Sequence, residues 1–244
     1  MIRIGRFTAS PARTALKNSQ LIRRLHHYMR DGTLACMPQI VEISKMNWEQ
    51  RYRTGDTPWD KGAPAPPLLE WIERHGPLRG NILVPGCGSG RDVRAIASAS
   101  QAAQVVGMDV APSALDQARR FPVAGQETYL LADLFDLPAV LMGRFEWVFE
   151  HTCFCAIDPQ QRPDYVWAII NALQPKGFLL AIFFLNPWDP GEAPETGGPP
   201  FGVTREELDQ LFAAHFDLVE ELCPSAAFPG REGREIVRLL KKRC

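Results

Sequence analysis

Val84-Pro85-Gly86-Cys87-Gly88-Ser89-Gly90-Arg91-Asp92 is the stretch on which the fold reading turns. An apolar run over 81–85 leads into it and a helix-periodic run over 92–98 leaves it, so the three glycines fall between a predicted strand and a predicted helix. At such a junction the backbone approaches a ligand closely and the first helical N–H groups aim at it. The dinucleotide fingerprint needs its third glycine three residues after the second, where Arg91 stands; the G-x-G-x-G spacing suits instead a ligand whose amino-acid end rests on the turn. A tight strand-to-helix turn that binds nothing is the alternative.

Outward from this loop the chain alternates between the two periodicities. Strands are expected at 81–85, 104–110, 128–132, 145–149, 177–185, 216–223 and 235–241, and helices at 67–75, 92–98, 112–120, 163–173 and 204–216. The helix at 67–75 should turn Leu68, Leu69, Trp71 and Ile72 inward. The strand at 177–185 is almost wholly apolar and therefore central. Thr204-Arg205-Glu206-Glu207 reads as a capping box in which Glu207 reaches back to the cap. Alternation of this kind implies a parallel sheet covered on both faces, and the last two strands, with no helix between them, imply an antiparallel hairpin at one edge.

In such a sheet ligands bind at the carboxyl ends of the strands. Asp109 closes the second strand, where a carboxylate can accept both ribose hydroxyls of an adenosine, and Asp133 with Leu134 follows the third, where the adenine edge would lie. Either acid alone is more often a cap or turn residue. A glycine loop and two acids on consecutive strand ends are far more specific together.

Two loops complete the expected site. Residues 46–67 carry Trp48, Tyr52 and Trp59 among Gly55, Pro58, Gly62, Pro64, Pro66 and Pro67, which precludes a helix beyond about residue 53 and reads as a short helix followed by a lid. Residues 186–200 form a long Pro/Gly-rich loop, and loops beyond about a dozen residues tend to be functional.

Bulk properties narrow the class. The 244 residues suffice for one substantial domain, taken as 46–244, and the net charge of -1 gives no footprint for nucleic acid or an anionic membrane. No run reaches the roughly 20 apolar residues of a membrane span. The six cysteines lack the spacing of a disulfide framework or a zinc site, so a reducing, cytoplasmic setting is expected. On an extended strand His151, Cys153 and Cys155 would share a face, but a fourth ligand is missing; no metal is expected, and buried thiols in a core strand are preferred. Residues 1–45 stand apart as an extension. It is basic and acid-free up to Asp31, as in a transit peptide, although a disordered tail or a later start at Met37 or Met46 fits as well.

The chain resembles the thiopurine S-methyltransferase superfamily, and within it the thiol and halide methyltransferase branch. The residues that carry the resemblance are Trp48-Glu49-Gln50-Arg51-Tyr52, Thr57-Pro58-Trp59-Asp60, the loop 84–92, Asp133-Leu134-Phe135-Asp136-Leu137, the run FEHTCFCAIDP at 149–159, Arg162 with Tyr165, and Pro199-Pro200-Phe201. The resemblance implies an α/β fold with the seven-stranded, Rossmann-like class I methyltransferase sheet, an N-terminal lid, and S-adenosylmethionine as cofactor. Trp48, Tyr52 and Trp59 would wall that cofactor, Gly86 and Gly88 would hold its methionine end, Asp109 its ribose, and Asp133 and Leu134 its adenine. Glu150 and His151, after the fourth strand, would face the sulfonium as cofactor-binding and catalytic residues. At His151 this chain departs from relatives that carry Arg or Tyr.

The implied reaction is methyl transfer to a small thiol or hydrosulfide, such as methanethiol or hydrogen sulfide. Halides, thiopurines and selenium or tellurium species are alternative acceptors. A thiol is only a few per cent ionised at neutral pH, so a nearby base helps, and His151 is the candidate; a histidine that only positions its loop is the other reading. Outside this class stand a non-catalytic module that senses the cofactor and a nicotinamide oxidoreductase, the latter opposed by the glycine spacing. The oligomeric state is not legible.

Overall fold

The computed structural model of the chain describes residues 46–100 and 103–243, and every element below lies in the compact unit that begins at Asn47. The expectations for residues 1–45, including the transit-peptide reading, lie outside the described residues.

The chain enters through helix α1, Trp48–Thr54, whose first turn is capped by the Asn47 side chain accepting from Gln50 N–H at 3.0 Å and which stops at left-handed Gly55. Helix α2, Pro66–His75, starts with proline where no helical N–H is required. It buries Leu68 and Trp71, while Leu69, expected inside, is exposed: at about 100° per residue it points away from the face that those two share.

The sheet follows. Strands β1 (Gly80–Pro85), β2 (Ala103–Asp109), β3 (Gln126–Leu131), β4 (Phe145–His151) and β5 (Leu173–Phe184) alternate with helices α3 (Arg91–Ala99), α4 (Pro112–Arg119) and α5 (Arg162–Ala172); α6 (Arg205–Phe212), β6 (Phe216–Leu222) and β7 (Glu235–Lys242) close the chain. The spatial order is β3-β2-β1-β4-β5-β7-β6. The first five strands pair in parallel, and β7 lies antiparallel between β5 and β6. The terminal hairpin is therefore present, with its later strand tucked inward and β6 left at the edge. Val84 pairs with Gly107, Asp109 with Leu131 and His151 with Ile182, so the carboxyl ends of β1, β2 and β4 are brought to one edge of the sheet.

Both faces are covered. Phe154, Tyr165, Ile169, Phe183, Phe212 and Phe216 pack on one, and Leu68, Trp71, Ile82, Ile96, Phe149 and Leu180 on the other, each such side chain contributing roughly 1.5–3 kcal/mol of apolar burial. β5 pairs on both sides and, as expected of a central strand, is buried from Leu179 to Phe184.

Two local expectations give way to stronger partners. Thr204 caps α6 by accepting from Glu207 N–H at 3.1 Å, but the Glu207 carboxylate turns to fully buried Arg162, 2.5 Å away, instead of the cap. A desolvated guanidinium attracts a carboxylate more strongly than a neutral N–H does. Cys153 and Cys155 are not on a strand: β4 ends at His151, Thr152 takes φ 64°, and Phe154–Ala156 forms a single 3-10 turn.

Candidate functional site

The loop after β1 turns on left-handed glycines at 86, 88 and 90, with φ of 59°, 52° and 73°. At Gly88 the space is as restrictive as the backbone, because a Cβ there would stand 2.5 Å from the Tyr52 hydroxyl. Asp109, at the end of β2, organises this turn. Its Oδ2 accepts Gly88 N–H and its Oδ1 accepts Ala111 N–H, both at 2.9 Å. Burial raises the Asp109 carboxyl above its usual value, against the pull of these backbone donors.

The segment expected as a lid is tied to this loop. Trp48 and Tyr52 each meet Trp59 edge-on, with centroids 5.3 and 5.7 Å apart, and Trp59 Nε1–H donates to the Tyr52 hydroxyl at 3.0 Å. Burial pushes the Tyr52 phenol well up. Glu49 accepts from Ser113 N–H at 2.9 Å and from its hydroxyl at 2.8 Å, bonds that hold the glutamate below its usual range. Farther along, Asp60 takes the Ser89 hydroxyl at 2.5 Å and lies 3.4 Å from Arg91 Nε. Burial works to raise Asp60, but the Ser89 bond, Gly62 N–H and Arg91 together leave it lowered.

His151 stands at the inner wall, where β4 ends. Its Nδ1 is 2.8 Å from Asp92 Oδ2, and its Nε2 is 3.4 Å from Arg231 Nη1. A guanidinium has only donors, so Nε2 accepts and Nδ1 carries the proton that goes to Asp92. The other oxygen of Asp92 accepts Ala65 N–H at 2.7 Å, where the lid runs into α2. Arg231 also binds Glu235 Oε1 at 3.1 Å and lies against the rings of Phe184 and Phe228.

Tyr52, Trp59, Gly86, Gly88 and His151 all line one cleft, joined there by Asp60, Ser89, Arg91, Asp92, Thr152 and Phe228. Trp48 and Asp109 lie behind this wall, packed on or bonded to it. Glu150 is elsewhere: it is 1 % exposed and faces the core, with Oε1 accepting Cys153 and Phe154 N–H and Oε2 accepting the Tyr165 hydroxyl. Burial raises its carboxyl in spite of those donors. Asp133 is exposed at the end of β3 and caps a short 3-10 turn through Phe135 N–H at 2.9 Å, while Leu134 is buried. Residues 186–200 are not among those lining this cleft; Trp188 Nε1–H is bonded to Pro200 O, and next to it Phe201 N–H is bonded to Cys155 O.

Asp92, Phe228 and Arg231 were not assigned roles from the sequence. Asp92 had a signal, being the last residue of the glycine loop. Phe228 and Arg231 lie on the connection between two strands and carry none. Among the described residues no group of three or more His, Cys, Asp or Glu side chains is arranged to hold a metal, and no helix is long and apolar enough to cross a membrane.

The family described as thiopurine S-methyltransferase (TPMT) matches residues 43–235. A probable thiol methyltransferase 2 of Arabidopsis thaliana is 33% identical over 206 residues, which cover 82% of this chain and 87% of that protein. Thiocyanate methyltransferase 1 of Brassica oleracea is 34% identical over 213 residues, or 84% and 88% of the two chains. Among solved structures, a Burkholderia thailandensis 1,6-didemethyltoxoflavin-N1-methyltransferase with bound S-adenosylhomocysteine superposes with a TM-score of 0.55 at 18% identity, over 99% of this chain and 94% of that one, and shows the same fold.

Proposed function

The chain belongs to the thiopurine S-methyltransferase family and is an S-adenosylmethionine-dependent S-methyltransferase, and from that premise we propose that it methylates a small thiol or hydrosulfide, such as methanethiol or hydrogen sulfide. Family membership sets aside the cofactor-sensing module and the nicotinamide oxidoreductase.

The residues present fit the cofactor. The Asp109 carboxylate, positioned by backbone N–H groups including those of Gly88 and Ala111, would accept the ribose hydroxyls. The lid supplies π faces suited to a sulfonium, and the Arg51 guanidinium already lies 4.5 Å above the Trp59 ring. In this reading Gly86 and Gly88 hold the methionine end, Asp133 and Leu134 the adenine, and Trp48, Tyr52 and Trp59 the wall. When bound, S-adenosylmethionine would supply an electrophilic methyl group to the acceptor sulfur and leave as S-adenosylhomocysteine. The chain itself has to align the acceptor, exclude water and take up the thiol proton.

The observation that carries the proposal is the orientation of His151. With Nδ1–H given to Asp92, Nε2 is the basic nitrogen, and His151 lies on the wall of the cleft beside the glycine loop. A thiol entering there displaces the long Arg231 contact from Nε2 and loses its proton to that nitrogen, as its sulfur becomes thiolate beside the guanidinium. Glu150, with both oxygens engaged in the core, serves in this account to hold the turn after His151 and does not touch the reacting atoms. Arg231 favours a second reading, an acceptor that is already an anion. A thiocyanate methyltransferase is among the relatives, and the Arg231 side chain is only 10% exposed beside His151. Release of S-adenosylhomocysteine, measured with hydrogen sulfide, methanethiol, larger thiols, thiocyanate, iodide and a thiopurine, tests the proposal. Fastest turnover of methanethiol or hydrosulfide is expected, and a thiopurine turned over faster than any small thiol would overturn it.

A further inference from the structure

We propose that Asp92 is a positioning residue for the reaction, which holds the imidazole of His151 in the tautomer that leaves Nε2 able to accept the acceptor's proton. The inference rests on the reading of His151 as the base and adds a residue through which that base is prepared.

Three observations carry it. The Asp92 Oδ2 to His151 Nδ1 distance of 2.8 Å is that of a charge-assisted hydrogen bond, and the two side chains are only 16% and 9% exposed, so water competes little for either. The opposite ring nitrogen meets the donor Arg231 Nη1 at 3.4 Å, which selects the same tautomer independently. Finally, Asp92 is fixed from its own far side, since Oδ1 accepts Ala65 N–H at 2.7 Å and both carboxylate oxygens are thereby assigned. A buried acid that accepts from Nδ1–H and leaves Nε2 as the basic nitrogen is the arrangement by which other enzymes orient a general base. Here the acid opens helix α3 directly after the cofactor loop, so the loop, the lid junction at Ala65 and the base are bound into one unit.

Asp92→Asn separates this role from a structural one. The asparagine amide has one acceptor oxygen for two donors, Ala65 N–H and the ring N–H at Nδ1, so one of them is left facing an amide N–H, and the imidazole loses the charged acceptor that keeps Nε2 basic. Thiocyanate has no proton to lose. The turnover ratio of methanethiol to thiocyanate should therefore fall by at least about tenfold in the variant. If Asp92 acts through the imidazole, Asp92→Asn should add no further loss of that ratio in a His151→Gln background. An unchanged ratio, or additive losses in the double variant, would overturn the inference. If His151→Gln itself leaves the ratio at the wild-type value, the base reading fails first and the inference with it; if only Asp92→Asn leaves it unchanged, the inference alone fails. Nitrogen NMR of the His151 ring in the unaltered protein gives a check that needs no variant, with protonation at Nδ1 expected and a ring protonated at Nε2 alone overturning the inference.

Discussion

Tyr165 donates its hydroxyl to Glu150 Oε2 at 2.6 Å inside the core, and Glu150 Oε1 accepts Cys153 N–H at 3.0 Å and Phe154 N–H at 2.7 Å. One carboxylate thus suspends the turn that follows His151 from helix α5. Removing it strands three buried donors. Glu150→Ala should cost on the order of 3 kcal/mol or more in denaturant unfolding, whereas Tyr165→Phe, which removes one bond to the same group, should cost about 1–2 kcal/mol. Equal losses in the two variants would contradict this account of the turn.

The same carboxylate makes a prediction about pH. Burial raises the Glu150 pKa above its ordinary 4.5, so between that value and the raised one the folded protein holds a proton that the unfolded chain has released. Stability contributed by this group is accordingly present below the ordinary value and is lost as pH rises through the folded one. Glu150→Gln keeps an oxygen for the two backbone donors and removes the titration. Its thermal stability relative to wild type should improve as pH rises above the ordinary carboxylate value of 4.5. A difference that stays constant over that range would show that the carboxyl is not shifted.

Contact between the lid and the loop can be tested at Gly88. A methyl group there meets the Tyr52 hydroxyl at 2.5 Å and the next atom, Tyr52 Cζ, only at 3.7 Å. Gly88→Ala should therefore weaken cofactor binding, and adding Tyr52→Phe should restore part of it. The strain of a left-handed alanine, about 1 kcal/mol, remains in both. Absence of any recovery in the double variant, measured by calorimetry with S-adenosylhomocysteine, would show that the hydroxyl is not what the added methyl group displaces.

Asp109→Ala should reduce cofactor affinity strongly, because each charge-assisted bond to a ribose hydroxyl is worth roughly 1.5–3 kcal/mol. Unchanged calorimetric affinity would remove Asp109 from the cofactor site.

Much of this was legible in the sequence where local periodicity and turn chemistry decide the structure. The glycine loop and the seven strands follow from spacing and apolar runs, the lid reading from its density of proline, glycine and aromatic residues, and the resemblance named the cofactor. What escaped depended on partners distant in sequence. Nothing near Glu207 shows that buried Arg162 will outcompete the helix cap, and nothing near Glu150 shows that Tyr165 will draw its carboxylate into the core. The extended reading of Cys153 and Cys155 failed for the same reason, since the bend at Thr152 is set by those bonds to Glu150. Arg231 and Phe228 reach the cleft from a strand connection whose course no periodicity records.

The central claim, that a small thiol surrenders its proton to His151 before accepting the methyl group, is tested most directly by the ratio of methanethiol to iodide turnover in His151→Gln and in the unaltered protein as pH is raised. The account predicts a ratio well below that of the unaltered protein near neutral pH, recovering toward it at higher pH as the thiol ionises unaided. Equal losses for thiol and iodide at every pH would contradict it and reduce His151 to a positioning residue.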